Sequence, residues 1–309
     1  MIKDRVVSST TSLFSHGPQP LANTLDHRGD PGLLGPDSVS WEVIGDATAF
    51  VGGIRALLVQ TAHPEVVAGV EDHSRYRTDP LGRLTRTSYY VTATTYGAMP
   101  EVEQAVTMVR KAHRPVHGTS ERGRAYDADD PGLAAWVHNV LTDSFLQAFV
   151  AFGPRRLSPA ECDQFVAEQA RVGQLLGADP LPRRAGELSE WILEHPDLAS
   201  TSAQREAIHF LRRPPLAAPV RLAYRRLFDA AASTIPLPLR DLLGVEAGDR
   251  RTSIGGATVT ALRWALGASP SWHVALLRSG APVPPGRFTQ PLRVRVDPAE
   301  VGVSAADRR

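Results

Sequence analysis

The chain has 309 residues, a formal net charge of +1 and one cysteine, Cys162, so an internal disulfide framework is excluded. With 42% hydrophobic and 22% charged residues it reads as globular and not disordered, and it is long enough to bury its own core. Lys and Arg are scattered, without the concentrated basic face that phosphate binding needs, so nucleic acid is not an expected partner.

Residues 1–36 are rich in Ser, Thr, Gly and Pro and are expected to form an irregular N-terminal arm. Residues 1–7 lack the apolar centre of a signal peptide, which makes the cytoplasm the expected location. Regular structure is expected from Asp37 and Ser38, a capping pair, with helical spacing of small and apolar residues from Trp41 to Thr61. The apolar run 47–60 is broken by Gly52, Gly53 and Arg55 and is too short to span a bilayer. The two glycines would let another helix or a flat ligand approach closely.

His63-Pro64 reads as a cap and first helical residue, and Asp79-Pro80 opens a second helix toward Tyr96. The β-branched half of that helix, 89–96, has the propensity of a strand. Pro100-Glu101 opens a helix that stops near His113, because Pro115 restricts Arg114. Residues 118–130 read as polar loop, and Asp130-Pro131 starts a long apolar helix to Phe152. Ser158-Pro159-Ala160-Glu161 is a capping box, and its helix runs to about Leu176 before Gly177. Further helices are expected at 187–194, 201–212, 217–233 and 253–267. The proline-rich tail, 279–309, is expected to be irregular apart from a strand at 292–296. Helical patterns dominate and no βαβ alternation appears, so the expected class is all-α, one helical domain over 37–278.

Among ten histidines, two lie on apolar stripes. His113 follows Val102, Val106 and Val109 at helical spacing, and His138 is in register with Ala134, Leu141 and Phe145. Each could ligate a metal through one nitrogen, or be a core histidine bonded to a backbone carbonyl. His117 lies four residues after His113, but Pro115 between them breaks the helical geometry of a metal pair. Arg83, Arg86 and Thr87 share one helical face, which either holds an anion or is a solvated basic face. No Gly-Xaa-Ser-Xaa-Gly elbow, phosphate loop or paired-cysteine site is present. Cys162, between Glu161 and Asp163, is a poor nucleophile.

Taken in order, several strings resemble a known family: His63-Pro64 to Val70, Asp72-His73-Ser74, Asp79 to Thr87, Val109 to Gly118, Tyr126 to Pro131 and Trp136-Val137-His138. They resemble the actinobacterial branch of the MpaB-type oxygenases, which include the latex-clearing rubber oxygenases, over roughly residues 38–240. The resemblance implies an all-helical domain with a globin-like core around haem b, its iron on a histidine. Val109-Arg110-Lys111-Ala112-His113 matches the proximal-histidine string, and Arg83 to Thr87 matches an Arg-Xaa-Xaa-Lys-Thr motif with Arg86 in place of lysine. His138 and His117 are the further cofactor-binding candidates, and Arg83, Thr87 and Arg86 the catalytic ones. The implied partners are dioxygen and a small, largely apolar organic substrate. The distal lysine and the export signal of the rubber enzymes have no counterpart here, which argues against rubber as substrate. Two other readings are a haem protein without turnover, such as a gas sensor or carrier, and a haem-free helical protein with a non-haem metal.

Overall fold

The computed structural model describes residues 2–13, 17, 19–290 and 292, and the tail strand expected at 292–296 lies almost wholly outside them. The described residues form fourteen α-helices and one two-stranded hairpin, so the all-α reading holds. Among them no helix is long and apolar enough to cross a membrane.

Most helix starts lie where the capping residues place them. The Ser38 side chain accepts from the Trp41 amide at the start of α2 (Val39–Gly45). Asp79 accepts from Gly82 N at the start of α5 (Pro80–Tyr96), as Asp130 does from Leu133 N at the start of α7 (Pro131–Phe152). Each such bond satisfies an amide that the helix leaves unpaired. The capping box at Ser158 opens α8 (Pro159–Gln174), and His63 precedes α4 (Pro64–His73).

The stretch expected as one helix over 41–61 is two, α2 and α3 (Ala49–Gln60). Asp46 causes the break. Its Oδ1 accepts from Thr48 N at 2.9 Å, a local turn that competes with the helix, and its carboxylate is gripped by Arg263 at 2.6 and 2.8 Å. The second half of α5 is helical despite its β-branched residues. Thr94 Oγ1 donates to Tyr90 O at 2.8 Å, and Tyr89, Ala93 and Tyr96 bury one face.

Four further differences have local causes. The arm contains α1 (Ile2–Leu13), which packs on α13 (Asp249–Leu266), and a short 3₁₀ turn at Thr24–His27. The loop after α6 (Met99–His113) pairs β1 (His117–Thr119) with β2 (Ala125–Asp127), Gly118 opposite Tyr126. Helices α12 (Leu237–Leu243) and α14 (Pro270–Ser279) add to the expected set, each with a proline in its first turn, where the missing amide costs nothing. The remaining helices are α9 (Ala185–Leu193), α10 (Ser202–Arg212) and α11 (Ala218–Ser233).

Helix α3 runs through the centre, packed against α7 on one side and α11 on the other. Val51, Leu58, Trp136, Val140, Phe149 and Phe165 are fully enclosed in this core. Gly52 sets the approach: a Cβ there would lie 2.7 Å from Phe145 Cδ1 and 3.0 Å from its Cα, so only glycine lets α3 and α7 close. Across the same interface Arg55 Nη1 meets Asp143 Oδ2 at 2.7 Å, with both side chains almost wholly buried. Arg55 also donates to Ser144 Oγ at 2.9 Å, and Asp143 accepts from Gln147 and Ser189.

A buried pair is costly to break, because removing one partner strands the other charge. Arg55→Met is therefore expected to lower unfolding free energy by about 3–5 kcal/mol. Adding Asp143→Leu to that variant should recover a large part of the loss. Urea denaturation of the wild type and the two variants measures both effects, and equal instability of the single and double variants would contradict the account.

Candidate functional site

Helices α5 and α6 are joined by two residues, Gly97 and Ala98, and pack on each other as a helical hairpin. The N-terminal end of α5 therefore lies beside the C-terminal end of α6, which brings Arg83 and His113 to the same end of the pair. The hairpin has its own small apolar cluster, Tyr89, Ala93 and Ala105, separate from the central core. Buried Val102, Ala105 and Val106 form the inner face of α6 above His113.

His113 is half-buried, and its ring makes no hydrogen bond to any described residue. Burial pushes its pKa below the ordinary histidine value, with Asp129 opposing, so the imidazole is neutral near neutral pH. Arg83 is also partly buried, and burial lowers its pKa. Its guanidinium lies 5.7 Å from the centre of the Tyr76 ring and has no carboxylate within ion-pair distance among the described residues. The nearby acids are already engaged. Glu71 bonds Tyr76 and Arg77, and Asp79 caps α5 and holds Arg86 at 3.3 Å. Two more polar groups of α5, Thr85 Oγ1 and the Tyr90 hydroxyl, are buried without a partner among the described residues, and burial raises the Tyr90 phenol.

The structure divides the face expected to carry Arg83, Arg86 and Thr87. Arg83 is partly buried, while Thr87 is exposed and Arg86 turns outward to Asp79. His117 is exposed on β1, and its carbonyl oxygen lies 3.2 Å from His73 Nε2. His138 Nε2 lies 2.7 Å from the Gln169 carbonyl oxygen, a distance at which it donates. The ring is pressed against Gly173, where a Cβ would stand 2.7 Å from His138 Cδ2. Burial lowers the His138 pKa to about 4. Cys162 is raised by burial and by Asp163 and Glu161, which keeps it a thiol.

A second histidine group was not legible beforehand. His63, the residue before α4, lies beside His195 and Asp197 from the loop after α9. The ring centres of His63 and His195 are 5.2 Å apart, and Trp136 and Trp191 each stand 4.9 Å from His195. Glu65 and Asp197 are bridged by Arg122, and Asp197 is also held by Arg124. Burial, then the neighbouring His195, lowers the His63 pKa to about 4. No spacing rule links residues this distant in the chain; only the fold brings them together.

The His138 pKa has a consequence for stability. The unfolded chain takes up this proton near pH 6.5 and the folded chain only near 4, so stability is lost as pH falls through that window. The contribution amounts to about 3 kcal/mol at the acid end. His138→Gln, which retains a donor for the Gln169 carbonyl, is expected to flatten the decline. Denaturation measured from pH 7.5 to 4 checks this, and an unchanged slope would contradict it.

A family model described as "ER-bound oxygenase mpaB/B'/Rubber oxygenase, catalytic domain" matches residues 41–266. No curated protein and no solved structure matches the chain.

Proposed function

The chain belongs to the mpaB/rubber oxygenase family, and on that premise we propose that it is a haem b-dependent oxygenase, with His113 holding the iron and dioxygen used on a small, largely apolar substrate. One observation carries the reading: a partly buried arginine, Arg83, with no carboxylate within ion-pair distance among the described residues, at the same end of the α5/α6 hairpin as His113. A guanidinium partly removed from water binds an anion more strongly than one at the open surface. The described residues supply none for Arg83, so the anion is expected to arrive with a bound group.

The residues of the hairpin fit haem in three respects. His113 is neutral and its ring nitrogens have no partner among the described residues, which leaves one free to hold iron. Arg83 suits a propionate or an oxygen-derived anion through its planar fork of donors. Thr85 and Tyr90 offer buried polar atoms without protein partners, each of which costs about 1–3 kcal/mol when left unsatisfied. The other histidine candidates fit less well. His138 is committed to the Gln169 carbonyl, and His117 faces solvent.

Bound haem supplies the binding and activation of dioxygen, chemistry that no side chain of this protein offers. The chain's own contributions are simpler. His113 presents a lone pair from the last turn of α6, its neutral form favoured by burial. Arg83 holds a positive charge at a partly buried position, so its attraction for an anion is greater than at the open surface. Tyr76, held by Glu71 and Arg77, lies 5.7 Å from the guanidinium and limits where it can turn. The buried inner face of α6, Val102, Ala105 and Val106, packs the helix that carries His113 and keeps it in place.

Substitution separates the roles. His113→Ala is expected to abolish haem retention or leave haem easily extracted, while His117→Ala keeps it. If Arg83 serves the oxygen-derived anion, Arg83→Ala should keep haem and lower oxygen consumption at least about tenfold. If it serves a propionate, haem retention falls first. Wild-type haem content and oxygen consumption in both His113→Ala and Arg83→Ala would overturn the proposal.

A further inference from the structure

The second histidine group has a chemistry of its own. His63 and His195 each offer a ring nitrogen and Asp197 a carboxylate oxygen, and these donor atoms all lie within 4.8 Å of one another. A tetrahedral zinc ion with bonds of about 2.0–2.2 Å sets its donors roughly 3.3–3.5 Å apart. Modest side-chain rotation closes that difference. Two imidazoles and one carboxylate, with one or more positions left open, are a ligand set for divalent first-row transition ions.

The fold holds the donors in place, and within the loop the Asp197 amide donates to His195 Nδ1 at 3.3 Å. His63 directly precedes α4, its conformation limited by Pro64. The loop that carries His195 and Asp197 is tied to the residue before His63, because the Ala199 amide donates to Ala62 O at 3.1 Å. Asp197 Oδ1 takes the bonds from Arg122 and Arg124, and Oδ2 has no protein donor among the described residues. His63 is almost wholly buried, and its Nδ1 makes no hydrogen bond; the nearest carboxylate oxygen, Glu65 Oε2, is 3.4 Å away. A buried, unsatisfied imidazole beside a second imidazole and a carboxylate is what an absent cation leaves behind.

The approach suits a cation too. His195 lines a cleft of about 350 Å³ along the exposed side of α9 with Glu187, Glu190 and Glu194. Three carboxylates on one wall draw cations toward the only imidazole in that lining. Trp136 and Trp191 close the inner side of His195 and keep the group partly dry.

We propose that His63, His195 and Asp197 form a binding site for one divalent transition-metal ion, distinct from the His113 site. Nothing in this assignment depends on haem, so the two sites are tested independently. The experiment uses the full chain, stripped with a chelator and then titrated with Zn²⁺ and, separately, with Co²⁺. One metal ion per chain is expected, with Co²⁺ giving the visible bands of a low-coordinate nitrogen–oxygen site and Zn²⁺ raising the melting temperature. His195→Ala and Asp197→Asn, both on the surface loop, should lose the stoichiometric ion, the cobalt bands and the thermal shift, while His113→Ala keeps all three. Circular dichroism checks that each variant is folded, and the partly exposed position of His195 makes that variant informative where His63→Ala fails to fold. Failure of the wild type to bind, or binding unchanged in His195→Ala and Asp197→Asn, would overturn the site. Loss of metal in His113→Ala alone would move the ion to the hairpin.

Discussion

The contact between α3 and α7 sets the frame for everything else in this molecule. Gly52 lets the two backbones meet at Phe145, and Arg55 and Asp143 put opposite charges across the same seam at 2.7 Å. An ion pair almost wholly removed from water tolerates little error in position, because both charges must stay matched and their other bonding capacity filled. Ser144, Gln147 and Ser189 fill it. The apolar core around the seam could accept some sliding; the charge pair fixes one register. From that register follow the ends of both helices. Trp136 Nε1 donates to Gln60 O at 3.2 Å and Gln60 Nε2 to Val137 O at 3.1 Å. His63 therefore stands in a fixed relation to α7.

The α5/α6 hairpin obeys a different economy. Its inner cluster is small, and its polar groups are incompletely satisfied by protein. Elsewhere the chain places buried arginines with care. Arg55 has a carboxylate, and Arg278 reaches Asp30 O at 2.8 Å, Thr24 Oγ1 at 2.8 Å and Tyr96 O at 2.5 Å. Arg83 has neither arrangement. Its guanidinium has the Tyr76 ring at 5.7 Å and no carboxylate within ion-pair distance among the described residues.

Much of this was legible in the sequence, for a physical reason. Capping signals act locally, so Ser38, Asp79, Asp130 and Ser158 announced α2, α5, α7 and α8 directly. Proline was the ambiguous letter: Pro238 and Pro270 lie in the first turns of two helices absent from the expected set, because the first turn needs no amide from them. Asp46 broke an apparently continuous helix through a partner, Arg263, that lies far along the chain. At the candidate site, the spacing placed His113 on the inward stripe of α6 but could not show that Asp79 would turn Arg86 outward and leave Arg83 unpaired. The His63, His195 and Asp197 group was illegible altogether, because its members come from separate elements and share no period.

The central claim is that a histidine-held haem occupies the α5/α6 region of this oxygenase-family chain. The most direct measurement is the absorption spectrum of the full chain, expressed with a haem precursor and scanned before and after reduction with dithionite. The account predicts a Soret band that shifts on reduction, with haem present at one per folded chain. A folded sample supplied with haem precursor that shows no Soret band would contradict it.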